Sequence, residues 1–210
     1  MDIAKTELEL VEMAKFVKES LHFAFSYYFD KNLNKENIID DAKVNAYERQ
    51  IEEECLLSIL KERPFATDLR KLTGYFKVVE DLERLGDHAE DIAWCTSSLA
   101  KFKENIRIPK LDFMINECLK MVDDSIDALI KGDVALANRV IANDDLIDTT
   151  YLDILNLLPE LKKDKNLDDE FVIFYTLLNK YVERIADHAS NVAEWAIYIK
   201  SGFYKDRNII

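Results

Sequence analysis

Apolar side chains recur along the chain at intervals of three and four residues, a spacing that places them on one face of an α-helix. One such face contains Tyr75, Val79, Leu82, Gly86, Ala89 and Ala93. The apolar run 171–178 alone would also suit a buried strand, but it continues without a breaker into a helical pattern. We therefore predict a helix at 171–178 as well.

Few residues interrupt this pattern. The chain has four glycines and three prolines, whereas sandwiches and α/β folds need many more turn residues. The interruptions divide the chain into six predicted helices, at about 4–29, 35–62, 64–102, 110–131, 133–158 and 167–201. Gly132 and Pro159 mark joints between helices, and Gly202 is a candidate C-cap. The predicted fold class is all-α, with consecutive helices packed as antiparallel neighbours.

The second half of the chain repeats the first. Residues 83–93, ERLGDHAEDIA, recur as residues 183–193, ERIADHASNVA, with six of the eleven positions identical. More weakly, residues 41–45 align with residues 144–148. A unit of about a hundred residues is much longer than a solenoid repeat. We predict two tandem, pseudo-symmetric three-helix bundles, at 1–105 and 106–210, joined near 105–109.

Composition excludes several classes of protein. Hydrophobic residues make up 49% of the chain and charged residues 33%, a balance typical of a globular protein. The net charge is −13 and no stripe of Lys and Arg is visible, so nucleic acid is not an expected partner. The three cysteines, Cys55, Cys95 and Cys118, form no CxxC pair and are expected to be buried thiols. The first residues lack an apolar signal core, so we expect a cytoplasmic protein.

Acidic side chains repeat with helical spacing in both halves. Glu83 and Asp87 lie four residues apart and share a helix face, and Glu183 and Asp187 repeat the pair. On the preceding helix of the second half stand Asp144 and Asp148, mirrored in the first half by Asp41 and Asn45. These carboxylates either form salt bridges with neighbouring helices or converge on a cation, because like charges brought together repel unless protonated or bridged.

A helical wheel places Glu83, Asp87 and Glu90 beside the apolar face. The edge predicted to be most exposed contains Lys77, Glu80, Arg84, His88 and Asp91. We therefore expect His88 and its repeat His188 to lie toward solvent and to form a surface or inter-helix hydrogen bond instead of binding metal. Gly86 and Ala186 are small enough to allow a neighbouring helix to approach closely.

Three segments resemble the PhoU family. Residues 79–93 are similar to the first signature of that family and residues 181–195 to the second. Residues 63–70, RPFATDLR, match its Pro-x-Ala-x-Asp-Leu-Arg stretch. Order, spacing and total length agree over essentially the whole chain. Two departures are visible: Asn45 stands where the second half has Asp148, and the second half lacks a copy of Asp-Leu-Arg.

The resemblance implies a regulator without enzymatic activity, which modulates the phosphate-specific ABC transporter and dampens the phosphate-starvation response. The partners that it implies are the ATPase subunit of the transporter, the phosphate-sensing histidine kinase and a second copy of the chain in a homodimer, with membrane contact only through partners. It also implies iron or zinc on carboxylates, which in this sequence are Glu83, Asp87, Glu183 and Asp187, with Asp41, Asp144 and Asp148 as helpers. Because Asn45 offers only a neutral ligand, the first site is expected to be the weaker one.

Two alternatives remain open. A di-iron oxidase in a helical bundle needs two Glu-x-x-His motifs, and only Glu19 and His22 have that spacing. A metal-free helical adaptor would use the carboxylates structurally. No glycine-rich phosphate loop is present, and no helix start combines Gly, Ser/Thr and Arg as an anion nest, so we expect phosphate to be sensed elsewhere.

Overall fold

The computed structural model describes residues 3–33, 40–102, 106–205 and 207–208. Its helices are α1 (Ile3–Phe29), α2 (Asp41–Glu62), α3 (Ala66–Leu99), α4 (Pro109–Lys131), α5 (Val134–Lys165) and α6 (Asp169–Ser201). Two short antiparallel strands, β1 (Phe203–Tyr204) and β2 (Arg207–Asn208), follow α6. The all-α prediction is confirmed, including the helix at 171–178.

The helices form two groups of three. Each of α1, α2 and α3 contacts the other two, and so does each of α4, α5 and α6. The two groups meet where α3 packs against α6 and α1 packs against α4. One continuous apolar core runs through both groups, and Cys55, Cys95 and Cys118 are free and buried in it. The predicted boundary at 105/106 stays a prediction, and Asn105 lies outside the described residues.

Helices α3 and α6 run antiparallel, because the residues in contact occur in opposite order along the two helices. Along α3 the contacts are Gly74 with Ile199, Asp81 with His188, His88 with Tyr181, and Trp94 with Phe174. The repeat interchanges the two middle contacts, since it maps residue 81 onto 181 and residue 88 onto 188. A pseudo-twofold axis therefore passes between α3 and α6 near His88 and His188, whose ring centroids are 5.7 Å apart.

The predicted joint at Pro159 was wrong, because α5 continues through it to Lys165. A proline inside a helix removes one backbone hydrogen bond, but Pro159 is exposed, so water can reach the freed carbonyl. Ile154 and Leu158 are buried before it, and Leu161 after it packs on the core. Burial of this apolar face outweighs the lost hydrogen bond.

The other helix ends agree more closely with the predictions. Gly132 and Gly202 are left-handed C-caps, with φ of 63° and 83°. Helix α3 begins at Ala66 and ends at Leu99, inside the predicted 64–102, and α6 begins at Asp169 after the N-cap Asp168. The start of the second helix predicted at Lys35 lies outside the described residues.

Two glycines of α3 permit close helix packing. A Cβ atom on Gly86 would lie 3.1 Å from Val44 Cγ1 of α2, as expected from the sequence. The sequence analysis did not single out Gly74, where a Cβ atom would lie 2.3 Å from Ile199 Cγ1 of α6. Gly74 therefore sets how closely the two groups of helices approach each other.

We expect Gly74→Ala to destabilise the protein. Overpacking costs about 1–3 kcal/mol, and the gain in helix propensity returns about 1 kcal/mol, so the net loss should be up to about 2 kcal/mol in urea unfolding. Ile199→Ala, which removes the clashing atoms, should make Gly74→Ala neutral or stabilising. An equal loss from Gly74→Ala in both backgrounds would show that Ile199 is not the obstacle.

Candidate metal centre

The acidic residues of the second half converge between α5 and α6. Each of Asp148, Glu183 and Asp187 offers a carboxylate oxygen, and the three oxygens lie within 4.8 Å of one another. Asp148 comes from α5, and Glu183 and Asp187 come from successive turns of α6. Ligand oxygens on opposite sides of one ion that binds them at about 2.0–2.2 Å would be separated by a similar distance. The geometry of this group therefore fits a single hard or borderline cation.

Burial and repulsion between carboxylates raise the pKa values of Asp187 and Asp144 at this site. Burial, followed by repulsion from Glu183, Asp144 and Asp148, raises the pKa of Asp187 to about 6. Burial also raises the pKa of Asp144, with Asp148 adding to the shift, although the hydroxyl of Ser190 donates a 3.1 Å hydrogen bond to Asp144 and opposes it. The negative charges are thus only partly compensated.

One lysine supplies part of the positive charge that compensates these carboxylates. Lys180 Nζ lies 2.6 Å from Glu183 Oε1, and it also lies 5.2 Å from the centre of the Tyr151 ring. A lysine ammonium is attached to a flexible stem, so a cation at the three carboxylates could displace it. Arg184, next to Glu183, has no hydrogen bond or ion pair among the described residues.

The first half shows a different arrangement. Arg84 lies 3.4 Å from Glu83 Oε2 and 3.2 Å from Asp87 Oδ2, so its guanidinium lies against both predicted ligands. The side-chain nitrogen of Asn45 donates a 2.9 Å hydrogen bond to Asp41. In the described part of the chain, a set of three ligand atoms as close as in the second half does not occur here.

Burial and repulsion between neighbouring carboxylates nevertheless raise the pKa values of several acidic residues in the first half. Burial raises the pKa of Glu83, with Asp87 next in effect and with Glu48 and Asp41 contributing. Burial, with help from Glu52 and Asp87, raises the pKa of Glu48 on α2. Burial, Asp41 and Asp87 raise the pKa of Glu90. Sequence analysis missed Glu48, because its position in the repeat is taken by Tyr151 in the second half.

The histidines were placed wrongly. The side chain of His88 is only 7% exposed and that of His188 23% exposed, because α6 covers the edge of α3 that a single bundle would leave open. His188 Nδ1 lies 2.9 Å from Asp81 Oδ1, which also accepts a bond from Asn191. His88 Nδ1 lies 3.0 Å from Asp91 Oδ2. Asp81, which sequence analysis overlooked, is buried for the same reason.

The motif of the oxidase alternative lies on the surface. Glu19 is exposed, and His22 Nε2 lies 2.8 Å from Asp123 of α4. Neither residue contacts the acidic clusters. The positions of Glu19 and His22 therefore give no support to a di-iron centre of the oxidase type.

Comparison with known proteins identifies the family. The model of the PhoU domain family matches residues 10–96 and, a second time, residues 111–196. The chain belongs to the PhoU family. The two matches correspond to the two groups of helices, and they contain both acidic clusters.

Individual relatives in this family agree over almost the whole chain. A phosphate-specific transport system accessory protein PhoU homolog from Clostridium acetobutylicum is 31% identical over 99% of this chain and 96% of its own. The homolog from Aquifex aeolicus is 34% identical over 96% of this chain and 92% of its own.

Solved structures support the same assignment. The crystal structure of PhoU from Pseudomonas aeruginosa superposes with a TM-score of 0.88 at 29% identity, covering 95% of this chain and 97% of that one. The regulatory protein PhoU from Streptococcus pneumoniae gives a TM-score of 0.82 at 25% identity, covering 98% of each chain. Among the residues that the present structure describes, none of the helices has the length and apolar content needed to cross a bilayer.

The raised pKa of Asp187 makes a prediction about pH. Its ordinary pKa is 3.8 and its pKa in the fold is about 6, so the folded state binds a proton that the unfolded state releases between these values. Stability of the chelator-treated protein should therefore rise as the pH falls from 7 through 6. Asp187→Asn, which is always neutral, should melt higher than the unsubstituted protein at pH 7.5 and lose that advantage by pH 4. Because solvent screens this carboxylate, we expect a difference of about 2 °C.

The control for this measurement is Glu12→Gln, which removes one negative charge from the exposed face of α1. Its melting temperature should follow that of the unsubstituted protein at every pH. If Asp187→Asn and Glu12→Gln had the same effect on the melting temperature, the lower stability at pH 7.5 would come from net charge and not from the acidic cluster.

Proposed function

We propose that this PhoU-family chain is a cytoplasmic accessory protein of phosphate transport that acts by contact with other proteins and turns over no substrate. Its partners in this proposal are the ATPase subunit of the phosphate-specific ABC transporter and the phosphate-sensing histidine kinase, whose starvation response it restrains. The observation that carries the proposal is the double match to the PhoU domain. Names of relatives support it, because each is called an accessory protein of the phosphate-specific transport system.

We further propose that the acidic clusters bind iron or zinc. Asp148, Glu183 and Asp187 would be the ligands of the second site, with Asp144 beside them, and Lys180 would be displaced. The convergence of three carboxylate oxygens supports this proposal. A bound cation would supply the positive charge that offsets their repulsion, and its occupancy would determine whether this face of the bundle is negative or neutral.

The first site, formed by Glu83, Asp87 and Asp41, should bind the same ions more weakly. Arg84 already neutralises two of these carboxylates. Asn45 replaces a charged ligand with a neutral one. Glu48 is the additional carboxylate that a metal here could recruit from α2.

Metal content tests this proposal. Full-length protein should be loaded with Zn²⁺ or, without oxygen, with Fe²⁺, then dialysed and analysed by mass spectrometry. Loss of outer-shell partners alone costs about 10–100-fold in metal affinity, so Glu183→Gln/Asp187→Asn should weaken binding by at least about tenfold. Affinity should also fall below about pH 6, because Asp187 must lose its proton to coordinate.

The matched variant is Glu83→Gln/Asp87→Asn, the same change at the equivalent positions of the first half. It should leave the tighter binding unchanged. If both variants retain the metal content of the unsubstituted protein, the metal proposal is wrong and the chain acts as a metal-free adaptor. Glu19→Gln offers a further check, because only the oxidase alternative expects it to alter iron binding.

The regulatory role is tested in cells. Deletion of the gene should raise phosphatase expression in phosphate-rich medium and alter phosphate uptake, and the unsubstituted chain should restore both. A tagged chain should retain the transporter ATPase subunit or the histidine kinase from detergent-solubilised membranes. Normal phosphatase expression in the deletion strain, together with no association in rich or poor phosphate, would contradict the proposed role. The homodimer implied by the resemblance is measurable by light scattering in the same preparation.

A further inference from the structure

A pocket at one end of the molecule concentrates positive charge. It lies between the starts of α1 and α3 and the ends of α4 and α6, and its volume is 350 Å³. This pocket is here called the basic pocket. Its charged lining residues are Glu7, Arg70, Lys71, Lys131 and Lys200, and the hydroxyl-bearing Thr67 and Tyr75 also line it. Four cations thus face one carboxylate in a protein whose net charge is −13.

Existing ion pairs leave part of this charge uncompensated. Lys131 bonds Asp127 at 2.6 Å on its own helix, and Lys71 lies 3.7 Å from Glu7. Within the described part of the chain, Lys200 forms no ion pair, and its side chain extends to Gly132 at the end of α4. The basic pocket therefore contains at least one free ammonium group.

Arg70 is oriented by the fold. Its Nε donates a 3.2 Å hydrogen bond to the backbone carbonyl of Ile199, the residue before Lys200. The two terminal nitrogens of the guanidinium have no hydrogen bond to any described residue. Because this bond restrains the guanidinium, its remaining donors lose less side-chain freedom when they bind an anion.

The helix dipole accounts for only part of the positive charge in the basic pocket. Lys131 and Lys200 lie in the last turns of α4 and α6, where cations also complement the helix dipole. Arg70 and Lys71 lie in the second turn of α3, where the dipole gives no such benefit. In the repeat, Glu170 occupies the position of Arg70 in the sequence and lies in the first turn of α6, so the repeat does not require a cation there.

We propose that the basic pocket binds a phosphate-type oxyanion, either free inorganic phosphate or the phosphate of a lipid headgroup. Arg70 and Lys200 are the principal contacts, and Lys71, Lys131 and the hydroxyl of Thr67 lie at the rim. Guanidinium and ammonium groups bind phosphate oxygens through charge-assisted hydrogen bonds. No anion nest was visible in the sequence, because these cations come from three different helices. This inference is independent of the metal proposal.

The test measures binding of inorganic phosphate by calorimetry to the full chain carrying Asp187→Asn and treated with chelator, so that no metal can hold the anion. Lys200→Gln and Arg70→Gln/Lys200→Gln should weaken binding, the latter by at least about tenfold. The matched control, Lys15→Gln/Arg49→Gln, removes the same two charge types from exposed positions on α1 and α2 and should change affinity less than about twofold. Added salt should weaken binding of the unsubstituted pocket.

A second arm distinguishes the two sources of the phosphate group. Co-sedimentation with phosphatidylglycerol vesicles, compared with phosphatidylcholine vesicles, reports headgroup binding. Vesicle binding that is lost in Lys200→Gln, without binding of free phosphate, would assign the site to a lipid headgroup. Melting curves show whether Arg70→Gln disturbs folding through Ile199, and Lys200→Gln, whose side chain is exposed, avoids that contact.

Two results would overturn the inference. The first is that the Asp187→Asn chain with an intact basic pocket binds neither inorganic phosphate nor anionic vesicles. The second is that the control variant loses as much binding as the pocket variants, which would show a general effect of net charge. In either case the basic pocket is not an oxyanion site.

Discussion

The antiparallel packing of α3 against α6 is the interaction on which the rest of the molecule depends. It joins the two groups of helices through paired contacts related by the repeat, such as His188 with Asp81 and His88 with Tyr181. Because each of these helices is covered by its own group on one side and by the other group across the axis, both faces are buried. The carboxylates of Glu83 and Glu183 are then confined to the remaining edges, where they meet α2 and α5.

This arrangement explains why polar groups lie at the centre of the interface. Two imidazoles face each other across the pseudo-twofold axis, and each is held by a carboxylate, Asp91 or Asp81. A buried polar group costs free energy unless it is hydrogen-bonded. Asp81 of α3 is hydrogen-bonded to His188 and Asn191 of α6, and these bonds fix the register of α3 on α6 more narrowly than apolar contacts alone would. His88 and Asp91 both belong to α3, so their bond positions the imidazole within one helix.

Much of the fold could be predicted from the sequence, because helical periodicity and a strong repeat are local signals. The pairing of acids was also predictable: Asp148, Glu183 and Asp187 meet as their spacing indicated. The burial of His88 was not, since a wheel drawn for one bundle cannot show which side the other bundle covers. Glu48 was missed because its copy is Tyr151, and Pro159 misled because an exposed proline can remain inside a well-packed helix.

The metal proposal requires that the second half bind a cation more tightly than the first half, where Arg84 lies against the carboxylates of Glu83 and Asp87. Anomalous diffraction from crystals soaked in limiting Zn²⁺ locates the ion directly. We expect a peak among the carboxylates of Asp148, Glu183 and Asp187, and a weaker peak or none beside Glu83 and Asp87. A stronger peak in the first half, or zinc bound only at His88 and His188, would contradict it.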